Sequence, residues 1–301
     1  MSENQATTPL PLFNAEEASI LAVENAMVQT ISGPDELDKV SPGIAVQAAL
    51  YHLQSGGNRT RARICLSASL SLGVSHEDAV RLSACVELLH NASLIHDDLQ
   101  DHEKMRHGAR SVWVEYNPGI AICAGDLMIS SAFGVLATVS KLNVLPSLLS
   151  ATHNCVSKAI RGQCDDLNAS DPSQMTQESY TEVVKAKSGA LLSLPLELAL
   201  IASENFLSLS HARKAAEDFS VGYQIADDLL DIQSDAAADG KPASLNIFFL
   251  IKKDMSDKVA RETANAIGRT HFASAHHLAS KLPCESGQYL QKLATEMATF
   301  L

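Results

Sequence analysis

Helical periodicity runs through almost the whole chain of 301 residues and constrains its fold more than any other feature. Apolar residues recur at the three- and four-residue spacing of a helix face, whereas runs that alternate apolar and polar residues are nearly absent. Several segments are apolar on more than one face, which is typical of the central helices of a large bundle. We therefore predict an all-α fold, with helices at about residues 20–31, 42–54, 59–72, 76–101, 120–140, 146–168, 177–203, 208–231, 256–282 and 287–301.

Charge and cysteine content exclude several classes of protein. The chain has 23 Lys and Arg against 35 Asp and Glu, a net charge of −12, so it lacks the basic surplus that nucleic acid binding needs. Its six cysteines include no Cys-x-x-Cys pair, which favours buried free thiols in a reducing cytosol over a zinc site. The first residues lack a signal-peptide pattern, and no apolar run is long enough to predict a membrane span. We therefore expect a cytoplasmic protein whose acidic excess suits a bound cation.

Two acidic motifs of the form Asp-Asp-x-x-Asp end two of the apolar helices. They are Asp97-Asp98-Leu99-Gln100-Asp101 and Asp227-Asp228-Leu229-Leu230-Asp231. Residues four apart share a helix face, so each motif places like charges together, which destabilises a helix. One such motif is most simply a solvated helix end, but two copies favour a common cation. Because Mg²⁺ takes oxygen ligands and is often shared between carboxylates and a phosphate, we predict a cluster of about two or three Mg²⁺ ions on all six aspartates.

Basic residues near the motifs are candidates to complement the metal on a diphosphate. These are Arg61, Arg106, Lys187 and Lys241. Lys187 stands out because it lies inside an otherwise apolar helix, where an unpaired charge is costly. The sequence therefore predicts a site that combines metal-bound carboxylates with cations around a diphosphate.

The order of these motifs resembles the trans-type isoprenyl diphosphate synthases, the polyprenyl synthetase family of class I isoprenoid synthases, over roughly residues 54–232. The stretches that carry the resemblance are Gly56-Gly57-Asn58-Arg59-Thr60-Arg61, Glu87-Leu88-Leu89-His90, the first aspartate motif, Met105-Arg106-His107-Gly108, Ala124-Gly125-Asp126, Gly162-Gln163, Lys187-Ser188-Gly189-Ala190, and Tyr223-Gln224 with the second motif. The resemblance implies a homodimer of long-helix bundles, each around a deep central cavity. We expect a single isoprenoid synthase domain over residues 1–301, with residues 1–13 flexible.

The resemblance also implies a reaction. Metal-bound diphosphate leaves an allylic substrate, and isopentenyl diphosphate then attacks the resulting cation. By resemblance Arg106, Lys187 and Lys241 contact the allylic diphosphate, and Ser188 and Gln224 face the cation.

The sequence departs from the family where isopentenyl diphosphate is bound. Asn58 replaces a lysine and His107 replaces an arginine, whereas Arg61 and His90 of the same region are kept. Elongation is therefore the favoured activity, and two alternatives stay open. One is ionisation followed by cyclisation, elimination or transfer to another acceptor; the other is a non-catalytic partner subunit.

The same resemblance implies that product length depends on the residues one turn before the first aspartate motif, which form the cavity floor. Ala92 and Ser93 occupy these positions, and both side chains are small. A small side chain leaves the channel open, so we predict a geranylgeranyl-like or longer product, of about twenty carbons or more.

Overall fold

The computed structural model describes residues 15–37, 42–167, 175–232, 245–253 and 255–301. Its helices are α1 (Ala15–Leu37), α2 (Ile44–Gln54), α3 (Thr60–Ser71), α4 (His76–Gln100), α5 (Val112–Glu115), α6 (Pro118–Leu136), α7 (Leu145–Leu167), α8 (Gln177–Val184), α9 (Ala190–Ala202), α10 (Leu209–Leu230), α11 (Ile247–Lys252), α12 (Asp257–Ala279) and α13 (Gln288–Met297). The all-α prediction is confirmed. Lys241 and the segment 1–13 lie outside the described residues.

Helix boundaries follow the predicted periodicity closely, with one internal difference. The segment predicted as a single helix over 177–203 is divided by one π-helical turn, Lys185–Gly189, between α8 and α9. Such a turn widens the helix locally and is frequent at functional sites. It carries Lys187, the lysine that the sequence singled out.

Two apolar cores hold the bundle together, and each surrounds a helix that ends in an aspartate motif. α4 packs against α6, α3, α1 and α9, and α10 packs against α12 and α9. α9 is buried along its whole length and joins the two cores. The carboxyl ends of α4 and α10 are thereby fixed on rigid elements.

One short hairpin follows α4 and was not predicted. β1 (Met105–Arg106) and β2 (Ala109–Arg110) pair antiparallel, and the turn residues His107 and Gly108 have φ of 50° and 82°. Two consecutive positive φ values are those of the tight turn that matches strand twist. His107-Gly108 supplied that turn without the Asn-Gly or Asp-Gly signal that would have revealed it.

α6 is more apolar than the sequence analysis expected. Among the described residues it is the helix long and apolar enough to cross a membrane, with 44% of its most apolar window buried inside the protein. A helix in a protein core meets the same criteria, and α6 packs closely on α4.

The six cysteines are free, as predicted, but only half of them are buried. Cys65, Cys85 and Cys155 lie in the interior, whereas Cys123, Cys164 and Cys284 are exposed.

Candidate active site

A cavity of about 430 Å³ opens beside the end of α4. Its apolar wall is formed by side chains of α4, α6, α7 and α9, among them Leu89, Ile129, Val156, Ile160 and Leu191. Predicted site residues that line it are Arg61, His90, Ala92, Ser93, Asp97, Lys187 and Ser188. The fold therefore gathers much of the predicted site around one pocket whose wall combines apolar side chains with charged ones.

The three aspartates of the first motif differ in how far they are buried. Asp97 is half-buried in the cavity wall, and Asp101 is exposed at the C-cap of α4. Asp98 is 1% exposed and accepts two hydrogen bonds on Oδ1 from Arg106, one of them from Nε at 2.9 Å. Its Oδ2 is buried, with no hydrogen-bond partner among the described residues. Burial raises the pKa of Asp97 to about 6, against the opposing effect of Lys187.

In the second motif, too, the middle aspartate is buried, but its hydrogen-bond partners are different. Asp227 and Asp231 are exposed, whereas Asp228 is 3% exposed. Asp228 Oδ1 accepts from Gln224 Nε2 at 2.9 Å, and Oδ2 accepts from the Tyr180 hydroxyl at 2.8 Å. The same Oδ2 accepts the backbone N–H that begins α11, at 2.7 Å. Burial raises the pKa of Asp228 to about 6 despite these donors.

Gln224 was predicted to face the substrate cation, and the structure pairs its amide with Asp228 on the same helix. Its role toward substrate stays a prediction.

Lys187 is held at the cavity by the geometry of the π-helical turn. Its Nζ lies 2.7 Å from Asp166 Oδ2 on α7. Gly162, one turn before Asp166 on α7, allows the backbone of the π-helical turn to lie close to α7. A Cβ at position 162 would lie 2.7 Å from the Lys187 backbone nitrogen. The charges of Asp166, Asp97 and Asp101 outweigh burial and raise the pKa of Lys187, so it is a cation at neutral pH.

Arg61 and His90 form a neighbouring polar pair in the cavity wall. Arg61 Nη1 lies 3.0 Å from His90 Nε2, and Arg61 Nε is buried with no hydrogen-bond partner among the described residues. Burial, then the charge of Arg61, lowers the pKa of His90 well below its usual value. His90 is therefore neutral and accepts a hydrogen bond from Arg61.

The loop between α2 and α3 lines part of a second cavity, which we call the outer cavity. Asn58 is exposed and lines the outer cavity, which has a volume of about 670 Å³. The Arg59 guanidinium stabilises this loop with three hydrogen bonds. It donates to the carbonyls of Gly56 and Leu53, both at 2.9 Å, and to the Glu24 carboxylate at 3.0 Å.

His107 reaches the same loop from the hairpin. A Cβ added to Gly57 would lie 3.8 Å from His107 Nε2. Arg59 and His107 both have positive φ, a strained conformation that clusters at functional sites. We call Asn58, Arg61, His90 and His107 the acceptor half of the site.

Comparison with known proteins decides the family. The sequence profile of the polyprenyl synthetases matches residues 43–274, which is most of the chain. This chain belongs to the polyprenyl synthetase family. The resemblance inferred from the sequence motifs is thereby confirmed.

Relatives within the polyprenyl synthetase family are moderately similar in sequence. The chain is 29% identical over 215 residues to a short chain isoprenyl diphosphate synthase of Methanothermobacter thermautotrophicus, covering 71% of this chain and 66% of that protein. It is 32% identical over 206 residues to a geranylgeranyl diphosphate synthase of Sulfolobus acidocaldarius, covering 66% and 62%. The chain thus spans slightly less than two thirds of the length of these relatives.

Solved structures extend the similarity to nearly the whole fold. The geranylgeranyl pyrophosphate synthetase of Pyrococcus horikoshii superposes with a TM-score of 0.81 over 94% of this chain and 97% of that chain, at 21% identity. The decaprenyl diphosphate synthase of Rhodobacter capsulatus gives 0.80 over 95% and 97%, at 20% identity. At this identity the agreement establishes the polyprenyl synthetase fold alone.

Several residues of this polyprenyl synthetase site were not named by sequence reasoning. Asp166 pairs with Lys187, and Tyr180 and Asn246 hold the second motif, the latter by donating to the Asp228 carbonyl at 2.7 Å. The Asp165-Asp166 pair at the end of a predicted helix was a visible signal for Asp166. Tyr180 and Asn246 lie far from Asp228 in sequence, and no local pattern marks them.

The donor set at the ends of α4 and α10 fits a hard divalent cation. The groups there are carboxylate oxygens, which hard cations prefer. Burial raises the pKa of Asp97, and Asp98 Oδ2 has no hydrogen-bond donor among the described residues. In the described part of the chain no three such side chains are already gathered as a ligand cluster. The chemistry of the groups thus suits Mg²⁺, with the two motifs as separate carboxylate pairs.

Proposed function

We propose that this chain is a Mg²⁺-dependent prenyltransferase that ionises an allylic prenyl diphosphate and elongates it with isopentenyl diphosphate. The observation that carries the proposal is the cavity beside α4. Asp97 and Lys187 line it together with other polar residues such as Arg61 and His90, and apolar side chains of α4, α6, α7 and α9 form much of the rest of its wall. A prenyl diphosphate has the same division between a charged head and an apolar chain.

Each group has a role that its environment supports. Asp97, Asp101, Asp227 and Asp231 would hold Mg²⁺, which when bound neutralises negative charge on the leaving diphosphate. Asp98 and Asp228 were also predicted as ligands. Asp98 orients Arg106 through Oδ1 and has Oδ2 left for the ion, whereas Asp228 fixes the start of α11.

Cations of the chain complement this charge. Lys187 donates to the allylic diphosphate once it releases Asp166, and Arg106 does so while anchored on Asp98. Preorganised donors of this kind stabilise charge that develops in the transition state. Lys241 is proposed for the same role. The apolar wall excludes water from the allylic cation, and Ser188 and Gln224 face that cation.

The proposed product has about twenty carbons or more. Ala92 and Ser93 lie in the cavity wall, and neither side chain is large enough to block it. Long and short products are both represented in the names of the relatives, so the walls of this cavity carry the argument.

A homodimer in the cytoplasm completes the proposal. Three apolar side chains on α6 and α7, Ile122, Ile160 and Leu167, are about half exposed, and Ile160 and Leu167 also line the cavity. A second copy that covers these helices would remove this apolar surface from water. Light scattering after gel filtration measures the mass; a monomer at all concentrations would contradict the homodimer.

The activity test is direct. The purified chain is incubated with Mg²⁺ and allylic diphosphates of different lengths, with and without isopentenyl diphosphate. Diphosphate release and product mass are measured. Release that requires isopentenyl diphosphate, with products longer by five-carbon steps, is expected. No release under any condition would contradict the proposal and favour a non-catalytic partner subunit.

A second candidate is transfer of the prenyl cation to another acceptor, or its cyclisation. The outer cavity favours it, because its arginines are already paired: Arg59 with Glu24, and Arg63 with Glu16 and Glu17. Asn58, which lies there, carries no charge. Release of diphosphate without isopentenyl diphosphate would support this candidate.

The double variant Asn58→Lys with His107→Arg separates the two candidates. If these positions bind isopentenyl diphosphate, two charge-assisted contacts of about 1.5–3 kcal/mol each should lower its KM by about 10²-fold or more. Steady-state kinetics measure the change. Lys258→Asn, at an exposed position on α12, serves as a surface-charge control. An unchanged KM would favour the second candidate.

A further inference from the structure

Glu87 is a buried acidic residue to which the proposed reaction gives no role. It lies in the middle of α4 and is 2% exposed. Burial raises the pKa of its carboxyl, because a charge in the interior is costly. A buried carboxyl group of this kind is expected to hold a neighbouring part of the structure through hydrogen bonds.

The Glu87 carboxylate caps the first turn of α3 from a neighbouring helix. Its Oε2 accepts the backbone N–H of Ala62 at 3.1 Å. The first N–H groups of a helix have no acceptor within that helix, and Arg59, the N-cap residue of α3, makes no side-chain cap. The carboxylate therefore satisfies the Ala62 donor and meets the positive end of the helix dipole.

The loop that leads into α3 makes this outside contact important. Gly56, Gly57 and Arg59 have φ of 104°, 117° and 50°, values that lie outside the right-handed helical region. The first backbone hydrogen bond of α3 runs from Arg63 N to the Arg59 carbonyl, at 2.9 Å. The Ala62 N–H lies just before that bond, so the α-helical ladder offers it no acceptor.

Arg61 is held by the same face of α4 at two points. It directly precedes Ala62 in the chain, and its Nη1 lies 3.0 Å from His90 Nε2. Glu87 and His90 are three residues apart on α4, so their side chains share one face of that helix. Glu87 thus fixes the backbone beside Arg61, and His90 contacts the end of the Arg61 side chain.

We propose that Glu87 is a positioning residue for the acceptor half, because its hydrogen bond to the Ala62 N–H keeps the first turn of α3 formed and Arg61 in place. The inference rests on the proposed function, in which the acceptor half binds isopentenyl diphosphate. Without this cap the first turn opens for part of the time, and only the closed form presents Arg61 correctly. Such an opening weakens the apparent affinity by the closed fraction and leaves the chemical step unchanged.

Three variants of Glu87 separate the length of the side chain, its hydrogen-bond acceptor and its charge. Glu87→Gln keeps the length and an oxygen acceptor but removes the charge. Glu87→Asp keeps the charge on a side chain that is one methylene shorter, which withdraws the carboxylate from Ala62. Glu87→Met keeps a similar volume and removes the acceptor.

Steady-state kinetics of the full-length protein measure the effect. Glu87→Asp and Glu87→Met should raise the KM for isopentenyl diphosphate roughly tenfold, the effect of one buried N–H that has lost its acceptor. Their kcat and their KM for the allylic substrate should stay near the wild-type values. Glu87→Gln should keep most of the wild-type affinity. If Glu87→Met does not fold, the comparison of the aspartate and glutamine variants decides.

Glu197 on α9 provides a matched control. Its carboxylate is also buried, at 6% exposure, and accepts from Ser193 at 2.9 Å and from Arg213 at 2.8 Å. Glu197→Met should lower the free energy of unfolding, as Glu87→Met does, but leave the KM for isopentenyl diphosphate unchanged. If Glu87 acted on stability alone, the two methionine variants would behave alike in both measurements.

Direct binding distinguishes the inference from the proposed function. Calorimetric titration with isopentenyl diphosphate, without the allylic substrate, gives its Kd for each protein. A wild type that neither binds nor elongates isopentenyl diphosphate overturns the proposed function and the inference with it. A wild type that does both, while Glu87→Asp and Glu87→Met keep its KM and Kd, overturns the inference alone. Equal losses for both substrates, or a glutamine variant as weak as the methionine variant, would also overturn the inference.

Discussion

The two aspartate motifs end α4 and α10 in the same way, yet their buried second aspartates are held by different chemistry. Asp98 is paired with the guanidinium of Arg106, whose side chain is 30% exposed. Asp228 accepts neutral donors from Gln224, Tyr180 and the start of α11. The α4 motif is thus coupled to a partly exposed cation, and the α10 motif is coupled to the packing of neighbouring helices.

This difference shows that one sequence pattern can carry two tasks. An ion pair with a partly exposed guanidinium orients a charge that solvent reaches, whereas a set of neutral hydrogen bonds fixes the start of a neighbouring helix. The shared part of the pattern is the outward pair in each motif, residues 97 with 101 and 227 with 231. Variants of each position measure how far the two motifs are equivalent.

The largest effect is expected at the first aspartate of each motif. Asp97→Ala and Asp227→Ala should each lower kcat by at least about 10²–10³, because a preorganised contact to the leaving group is lost. Circular dichroism should show that the fold is retained. Asp165→Ala, an exposed aspartate on α7, is the control. Near-normal activity of Asp97→Ala with Mg²⁺ would show that the α4 motif does not act on the diphosphate.

A smaller effect, on the free energy of unfolding, should distinguish Asp98 from Asp228, the second aspartates of the two motifs. Asp228→Ala leaves the Tyr180 hydroxyl and the Ile247 N–H without their acceptor and should cost about 3 kcal/mol in free energy of unfolding. Asp98→Ala should cost about 1 kcal/mol, because Arg106 can turn to solvent. Urea unfolding of both variants measures the difference. Equal losses would mean that the two motifs have the same structural role.

The pH dependence of stability should have opposite signs at Asp228 and His52. The pKa of Asp228 is raised to about 6, so its contribution to stability is complete below the unfolded pKa of 3.8 and is lost as pH rises through about 6. The pKa of His52 is lowered to about 4, so its contribution is present above 6.5 and is lost as pH falls through about 4. Each shift corresponds to at most about 3 kcal/mol.

Unfolding of Asp228→Asn and His52→Gln at pH 4 to 7, in buffer with a chelator, tests this pair. Relative to wild type, the asparagine variant should gain stability as pH rises and the glutamine variant should gain it as pH falls. Parallel curves for all three proteins would contradict both assignments.

The smallest effect is expected from the helical turn that precedes each motif. On α4 the positions four and five residues earlier are Ser93 and Ala92, whereas on α10 they are Tyr223 and Gly222. Ala92→Phe places an aromatic group in the cavity wall and should shorten the product by one or more five-carbon units, with about 1–3 kcal/mol of overpacking cost. Mass spectrometry of the products measures the change, and Ala45→Phe, at a partly exposed position on α2, controls for general destabilisation. An unchanged product distribution would place the cavity floor elsewhere.

Much of this protein could be read from local sequence. Apolar spacing defined the helices, since helical periodicity depends only on neighbouring residues, and the two motifs were placed at helix ends for the same reason. The family followed from the order of short motifs along the chain. Convergence of Asp97, Lys187, Arg61 and His90 on one cavity was implied by that resemblance.

Tertiary packing decided the rest. The sequence treats Asp97 and Asp98 alike, but adjacent residues on a helix point about 100° apart, so one faces the cavity and the other the core. Their partners depend on which elements pack there: Arg106 arrives on a hairpin, and Tyr180 from α8. Such contacts join residues that are far apart in sequence, so the periodicity of apolar residues does not predict them.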